Sequence, residues 1–90
     1  MPQRAIVLDP ADNVAVSLTP LSDGEEIDLD GVPVKVVEGI RFGHKIATRA
    51  IAAGDPVLKY HEVIGIATRD IAVGEHVHVQ NVVSARLPGS

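Results

Sequence analysis

Apolar residues occur along this chain in short runs, and turn-forming residues separate the runs. Residues 4–8 and 14–18 are two such runs, and the stretch DPADN between them has the composition of a turn. Residues 26–35, EIDLDGVPVK, alternate apolar and polar side chains around Asp30-Gly31, a pair that favours a two-residue type I′ turn. Because alternation with a period of two is typical of half-buried strands, the pattern predicts two short strands followed by a β-hairpin.

The Asp30-Gly31 turn also predicts the register of the hairpin. It sets four cross-strand pairs: Leu29 with Val32, Ile27 with Val34, Asp28 with Pro33 and Glu26 with Lys35. One face is then apolar and the other carries an opposite-charge pair. Pro33 has no N–H to donate, so its strand is expected at a sheet edge. We interpret this hairpin as scaffold.

The second half of the chain contains an internal repeat. IATRAIAAGDPV, residues 46–57, returns as IATRDIAVGEHV, residues 66–77, and eight of the twelve letters are identical. The segments after the two glycines, PVLKY and HVHVQNVV, are rich in residues that favour strands. Each copy, 46–60 and 66–80, is therefore predicted to form strand, tight turn and strand, with positive φ at Gly54 and Gly74. Two such copies could pack about a pseudo-twofold axis.

A helix over HKIATRAIAA is the alternative, because its apolar residues fall near one helical face. Ten residues without a clear N-cap make a poor helix in water, so we favour the strand interpretation. Val and Ile together number 22, whereas the aromatic residues are Phe42 and Tyr60 alone. β-branched residues pack well in sheets. We predict one all-β domain over residues 1–90, ending in a frayed tail at 85–90.

Composition narrows the class of function. Residues 1–40 hold eight acids against two bases, a charge of −6, and residues 41–90 hold six bases against four acids, a charge of +2. This basic excess is too small, and aromatic residues are too few, for a nucleic-acid platform. The chain has no cysteine, and its start resembles neither a signal peptide nor a membrane span. We expect a cytoplasmic protein whose chemistry lies in the second half, which contains all four histidines.

The stretch EHVHVQN is the clearest candidate for chemistry. On a strand, His76, His78 and Gln80 point to one face, with alternate side chains about 6.6–7 Å apart. His76 and His78 could converge on one divalent ion, although a third ligand must come from elsewhere. Ordinary exposed histidines on a solvated strand face are the alternative.

Other polar residues have open interpretations. His44 and Lys45 follow Gly43 and belong either to a surface loop or to a site. Lys59 and Tyr60 end the first copy, and the second copy has different residues at the matching positions. Divergent polar letters on a duplicated frame suggest unequal roles. Arg49 and Arg69 recur in both copies, and we expect them to brace the turn carboxylates Asp55 and Glu75.

Residues 42–82, FGHKIATRAIAAGDPVLKYHEVIGIATRDIAVGEHVHVQNV, resemble the small SAF-type domain of the altronate/galactarate dehydratase (UxaA) family. The resemblance rests on three motifs, GHKIA, KY-x-E-VIG and GEHVHV. The small subunit of sulfolactate sulfo-lyase is also similar. The resemblance implies a β-clip fold with two pseudo-repeated halves. It also implies a subunit that a larger catalytic UxaA-like part completes, with possible self-association.

The resemblance further implies loss of water across C2 and C3 of an anionic sugar acid to give a 2-keto-3-deoxy acid, commonly with divalent iron or manganese. The residues carried over as candidates fall into three groups: catalytic His44, Lys45 and His76; substrate-binding Lys59, Tyr60, Glu62 and Asn81; and metal-binding His76 and His78. A sulfo-lyase small subunit, a non-catalytic sugar-acid-binding module and a purely structural assembly subunit are the alternatives.

Two letters depart from the family words. His61 stands where the family usually has glycine, and histidine tolerates a left-handed backbone better than β-branched residues do. Gln80 stands where the family has a third histidine in HVHVHN. Because glutamine is a poor substitute for imidazole on iron, a three-histidine site on one strand is not expected.

Overall fold

A computed structural model of the chain describes residues 3–84. Nine strands and no helix occur in that range. The strands are β1 (Ala5–Ile6), β2 (Val14–Ser17), β3 (Glu26–Leu29), β4 (Val32–Lys35), β5 (Lys45–Ala47), β6 (Pro56–Lys59), β7 (Glu62–Ala67), β8 (His76–Val77) and β9 (Val82–Val83). The predicted frayed tail at 85–90 lies outside the described residues.

The strands form small antiparallel sheets. One sheet has the order β1-β2-β5-β8, a second has the order β6-β7-β9, and β3 pairs with β4 alone. The all-β prediction is confirmed, and the helix alternative for residues 44–53 is wrong. Across residues 3–84 there is no helix long and apolar enough to cross a membrane.

The β3–β4 hairpin has the predicted register, with all four cross-strand pairs in place. Asp30 and Gly31 have φ of 51° and 87°, as the turn requires. Val32 at the tip is 58% exposed, whereas its partner Leu29 is buried in the core, so this pair is covered on the β3 side alone. No ion pair within 4 Å joins Glu26 to Lys35 among the described residues, because both side chains are exposed and water solvates them.

The two copies of the repeat bind each other reciprocally. In the loop after β5 and the loop after β7, each copy donates N–H groups to the other at matching positions: Ile51 to Ile71 (2.9 Å), Ile71 to Ile51 (2.7 Å), Gly54 to Ala67 (2.8 Å) and Gly74 to Ala47 (2.8 Å). Gly54 and Gly74 have φ of 88° and 90°. The bonds define a pseudo-twofold axis through the Ile51–Ile71 pair, as predicted.

The pseudo-symmetry also includes a third strand in each half. Asn13 precedes β2, which pairs with β5, and Asn81 precedes β9, which pairs with β7. The two side-chain amides make equivalent bonds. Asn13 donates to the Pro56 carbonyl at 2.9 Å and accepts the N–H of Leu58 at 2.8 Å. Asn81 donates to the His76 carbonyl at 2.8 Å and accepts the N–H of His78 at 3.0 Å. The matching Asn-Val pairs at 13–14 and 81–82 were the only sequence signal for this relation.

The apolar core has two parts that share β5. The first part contains Ala5, Ala15, Leu21, Ile27, Leu29, Val34, Val36, Ile40 and Ile46. The second contains Val14, Ala47, Ile51, Val57, Ala67, Ile71 and Val77. Because successive side chains of a strand point to opposite faces, Ile46 enters one part and Ala47 the other. β5 is therefore fixed from both sides.

The expected bracing of Asp55 and Glu75 by the recurring arginines is wrong. Arg49 donates instead to the carbonyl of Pro10 at 3.0 Å. In the described part of the chain, neither Arg49 nor Arg69 forms an ion pair with a turn carboxylate. Both guanidinium groups are exposed, and an exposed ion pair gains little over solvation by water.

The two repeat glycines differ in what covers them. A Cβ at Gly74 would lie 1.9 Å from the carbonyl oxygen of Lys35, whereas a Cβ at Gly54 would meet nothing within 4 Å. Val37 donates its N–H to the Gly74 carbonyl at 3.1 Å. The segment after β4 therefore lies directly on the second loop and leaves the first uncovered.

Gly74→Ala should destabilise the protein more than Gly54→Ala. Both substitutions place alanine at a φ near +90°, so backbone strain cancels in the comparison. The clash with Lys35 remains and should add about 1–3 kcal/mol to the cost at Gly74. Urea denaturation of the two variants measures the difference, and equal unfolding free energies would contradict the close contact.

Asp12 stabilises the left-handed turn that joins β6 to β7. Tyr60 and His61 have φ of 56° and 60°, so the positive φ expected at His61 is present. Both backbone N–H groups bond to the Asp12 carboxylate, at 2.9 and 2.8 Å, and Asp12 is only 2% exposed. These two bonds offset the strain of two adjacent left-handed residues.

Asp12→Asn should lower the free energy of unfolding by about 1–3 kcal/mol, because one amide oxygen cannot accept both N–H groups as the carboxylate does. Asp28→Asn is the matched control, since Asp28 is exposed on β3. Denaturant melts of both variants test the role. A loss at Asp28 as large as that at Asp12 would show only a general effect of charge.

Candidate histidine site

Strand pairing brings three histidines together. β5 pairs antiparallel with β8, with Lys45 opposite Val77 and Ile46 opposite His76. The same register continued by one residue places His44 beside His78. We call His44, His76 and His78 the histidine triad.

The triad is compact. Nδ1 of His44 lies 2.9 Å from Nε2 of His76. The ring centroids are 5.1 Å apart for His44 and His76, 4.4 Å for His44 and His78, and 5.4 Å for His76 and His78, with the rings nearly parallel. One nitrogen from each ring lies within 4.8 Å of the other two. All three side chains are half-buried.

A turn, and not a longer strand, positions His78. β8 ends at Val77, so the predicted strand through Gln80 is too long. The Asn81 side chain accepts the N–H of His78 at 3.0 Å, and the Asn81 N–H donates to the His78 carbonyl at 3.1 Å. These bonds close a turn over residues 78–81, and His78 still joins His76 on one side of the molecule.

Hydrogen bonds to their backbone groups fix the positions of His44 and His76. Ser17 N–H donates to the His44 carbonyl and His44 N–H to the Arg41 carbonyl, at 2.9 and 3.0 Å. The N–H of His76 donates to Oε2 of Glu38 at 3.2 Å. The segment after β4, which covers Gly74, therefore also supports the start of β8.

The surroundings of His44 and His76 favour neutral imidazoles. Burial lowers the pKa of His44, and the charges of His78, Arg41 and Lys45 lower it further. Burial also lowers the pKa of His76, followed by the effects of His44 and His78; Glu38 opposes them. Burial, and then the charge of Lys59, lowers the pKa of Lys45.

The donor set fits a divalent metal ion. Nitrogen ligands on a tetrahedral ion, with bonds of about 2.0–2.1 Å, lie about 3.3 Å apart. The triad holds one nitrogen pair at 2.9 Å and all three nitrogens within 4.8 Å, and the nearly parallel rings would have to turn so that their lone pairs converge on one ion. His44 supplies the third ligand that His76 and His78 lacked in the sequence. A three-histidine group therefore forms without position 80.

A small groove adjoins the triad. It has a volume of about 190 Å³ and is lined by Lys45, Ile64, His78, Val79, Val82, Val83 and Ser84. Pockets that enclose small molecules usually measure about 300–1,000 Å³. Val79 follows His78 in the sequence and is 81% exposed. Phe42 lies two residues before His44 and is 68% exposed. The groove is therefore open, and Val79 in its lining is uncovered.

The remaining predicted residues lie at different distances from this centre. Lys59 is close enough for its charge to act on Lys45. Glu62 pairs with Lys59 across the β6–β7 hairpin, and Tyr60 is exposed in its turn. In residues 3–84 no hydrogen bond joins the side chain of Tyr60 or Glu62 to the triad. Asn81 is fully buried and holds the backbone of His76 and His78.

Relatives of this chain are lyases. Over 70 residues, 78% of the chain, it is 43% identical to altronate dehydratase of Bacillus subtilis (strain 168) and 46% identical to altronate dehydratase of Escherichia coli (strain K12). It is 51% identical over 47 residues, 52% of the chain, to (2R)-sulfolactate sulfo-lyase subunit alpha of Paracoccus pantotrophus.

This chain covers very different fractions of the relatives' own lengths. The matched region spans 14% of each altronate dehydratase and 70% of the sulfo-lyase subunit. The family profile described as altronate/galactarate dehydratase SAF domain matches residues 3–85, nearly the whole chain. This chain therefore belongs to the altronate/galactarate dehydratase SAF domain family.

Proposed function

We propose that this chain is the small, non-self-sufficient part of a hydro-lyase that dehydrates an altronate- or galactarate-like sugar acid to a 2-keto-3-deoxy acid. The observation that carries the proposal is the triad, which is built like a metal-binding site and lies beside a groove too small to enclose a substrate. The relatives support it, because an equivalent segment forms 14% of two altronate dehydratases.

A larger protein completes the site. The triad rings are half-buried, and Val79, which lines the groove beside His78, is 81% exposed. Exposed apolar side chains next to polar groups are typical of surfaces that another protein covers. Docking there would exclude water from the imidazoles and enlarge the groove into a pocket.

The charges near the groove suit an anionic substrate. Lys45 lines the groove, Lys59 lies within electrostatic reach of Lys45, and Arg41 and Lys45 both act on His44. Cations gathered beside a partly desolvated site attract a carboxylate more strongly than the same cations in water would. These residues would hold the sugar acid by its carboxylate.

His44, His76 and His78 would hold the metal. A bound divalent ion supplies Lewis-acid stabilisation of the charge that develops when a proton leaves the carbon beside a carboxylate. Imidazole ligands suit iron better than manganese, which prefers oxygen ligands, so we favour iron.

Metal binding would give the predicted catalytic residues different roles. An imidazole nitrogen that binds a metal cannot accept a proton at the same atom, so His44 and His76 act as ligands when the ion is present. Lys45 is then the proton carrier of the predicted catalytic set. Its lowered pKa brings the ammonium closer to the range in which it can exchange a proton near neutrality.

A sulfo-lyase small subunit is the second candidate. The sulfo-lyase alpha subunit is a separate small protein, and this chain matches 70% of its length. Elimination of sulfite from a sulfonated hydroxy acid, like elimination of water, removes the proton beside the carboxylate and builds charge there, and the leaving group departs with that electron pair. The same cations and metal would serve both reactions, so a substrate assay separates them.

Replacing a triad histidine should abolish the contribution of this chain to catalysis. The chain is combined with a large UxaA-like protein and iron, and altronate, galactarate and sulfolactate are assayed in turn. His44→Asn and His76→Asn should lower the rate by at least about 100-fold, because each removes a metal ligand. His61→Asn is the matched control, since His61 lies in the β6–β7 turn and outside the triad. Full activity in both triad variants would reject the proposal.

The metal-free chain should lose stability as pH falls below about 6.5. The pKa values of His44 and His76 are lower in the folded protein than their ordinary value of 6.5, so the unfolded chain binds more protons. This contribution is complete above pH 6.5 and disappears as pH falls through the lowered values. Urea midpoints between pH 7.5 and 5.5, measured with a chelator, test it.

The same measurement on variants identifies the groups responsible. His76→Asn should flatten the pH dependence relative to the parent protein, because it removes a group whose pKa is lowered on folding. Stopping at pH 5.5 keeps the scan above the ordinary carboxyl pKa, about 4.5 for a glutamate. An unchanged slope in His76→Asn would show that the triad does not cause it.

A further inference from the structure

Gln80 makes two hydrogen bonds to His76 that bear on the proton positions in the triad. Its Nε2 lies 3.2 Å from Nδ1 of His76 and 3.3 Å from the His76 carbonyl oxygen. We propose that Gln80 is a positioning residue that fixes the tautomer of His76 with the proton on Nε2, and thereby weakens metal binding by the triad.

The two contacts together determine the orientation of the Gln80 amide. A backbone carbonyl can only accept a hydrogen bond, so the group facing the His76 carbonyl must be the NH2 of the amide. Rotating the amide by 180° would place its oxygen against the carbonyl oxygen. The hydrogen-bond network therefore assigns the NH2 end to His76.

This orientation determines where His76 carries its proton. An NH2 group only donates, so Nδ1 of His76 accepts and is unprotonated in the neutral ring. The proton is then on Nε2, which lies 2.9 Å from Nδ1 of His44. His76 donates to His44 in turn, and a chain of hydrogen bonds runs from Gln80 through His76 to His44.

This series of hydrogen bonds opposes metal binding through Nε2 of His76. To bind an ion through Nε2, His76 must move its proton to Nδ1, where it would face the Gln80 NH2. The amide must then rotate and lose its bond to the His76 carbonyl. A glutamate at position 80 would instead accept the proton on Nδ1, as carboxylates do beside many metal-binding histidines.

The tautomer is tested in the metal-free protein by long-range ¹H–¹⁵N NMR of the imidazole nitrogens. We expect an unprotonated Nδ1 on His76 in the parent protein, a mixture of tautomers in Gln80→Ala, and a protonated Nδ1 in Gln80→Glu. Gln3→Glu is the control, because residue 3 precedes β1, at the edge of its sheet opposite β8. A protonated Nδ1 in the parent protein would overturn the proposal.

Metal affinity provides the second measurement, which rests on the proposed metal-binding role of the triad. Titration with Co²⁺, an air-stable probe with visible absorption, should show about 10-fold tighter binding by Gln80→Glu than by the parent protein or Gln3→Glu. Equal or weaker binding by Gln80→Glu would reject the effect on affinity. If no variant binds Co²⁺ while the tautomers change as expected, the metal role fails and the positioning role stands.

Discussion

The reciprocal hydrogen bonds between Ile51 and Ile71 are the constraint on which the rest of the structure depends. They join two loops of the same sequence across a pseudo-twofold axis, and each loop then reaches the strand of the other copy through Gly54 or Gly74. The exchange places β8 beside β5 and β6 beside β7. The triad is a direct consequence, because His44 and His78 meet only when β5 and β8 are neighbours.

The symmetric frame carries the histidine triad in only one of its halves. A shift of twenty residues relates the triad to Ile64, Pro56 and Leu58, so the equivalent position in the other half has no metal ligand. Pro56 also has no N–H, whereas the N–H of its counterpart His76 is bonded to Glu38. The two halves share the reciprocal backbone bonds of the frame, and the side chains at matched positions give the triad to one half alone. Conserving the backbone while changing the exposed side chains is how a duplicated fold acquires a local function.

Much of this architecture could be predicted from short stretches of sequence. The Asp30-Gly31 hairpin depends on neighbouring residues, and its register was predicted pair by pair. The repeat was visible as repeated letters, and the φ values of Gly54 and Gly74 followed from glycine's freedom at matched positions. Features that depend on distant residues were not predictable in this way. Arg49 reaches Pro10, 39 residues earlier, only because the N-terminal turn packs there. Asn81 ends β8 early through a local side-chain bond to His78, which the alternating letters HVHV did not indicate.

The same distinction explains the histidine site. His76 and His78 are close in sequence and were predicted to share a face, whereas His44 is 32 residues from His76 and could be placed beside it only by the sheet order. That separation also explains the rigidity of the site. Its rings are attached to β5, β8 and a turn closed by Asn81, and β5 is fixed by the core on both faces. A binding site on loops alone would have to be ordered at a cost in entropy when its ligand arrives. Here folding has already fixed the backbone that carries the three imidazoles, so a ligand that binds them does not have to meet that cost.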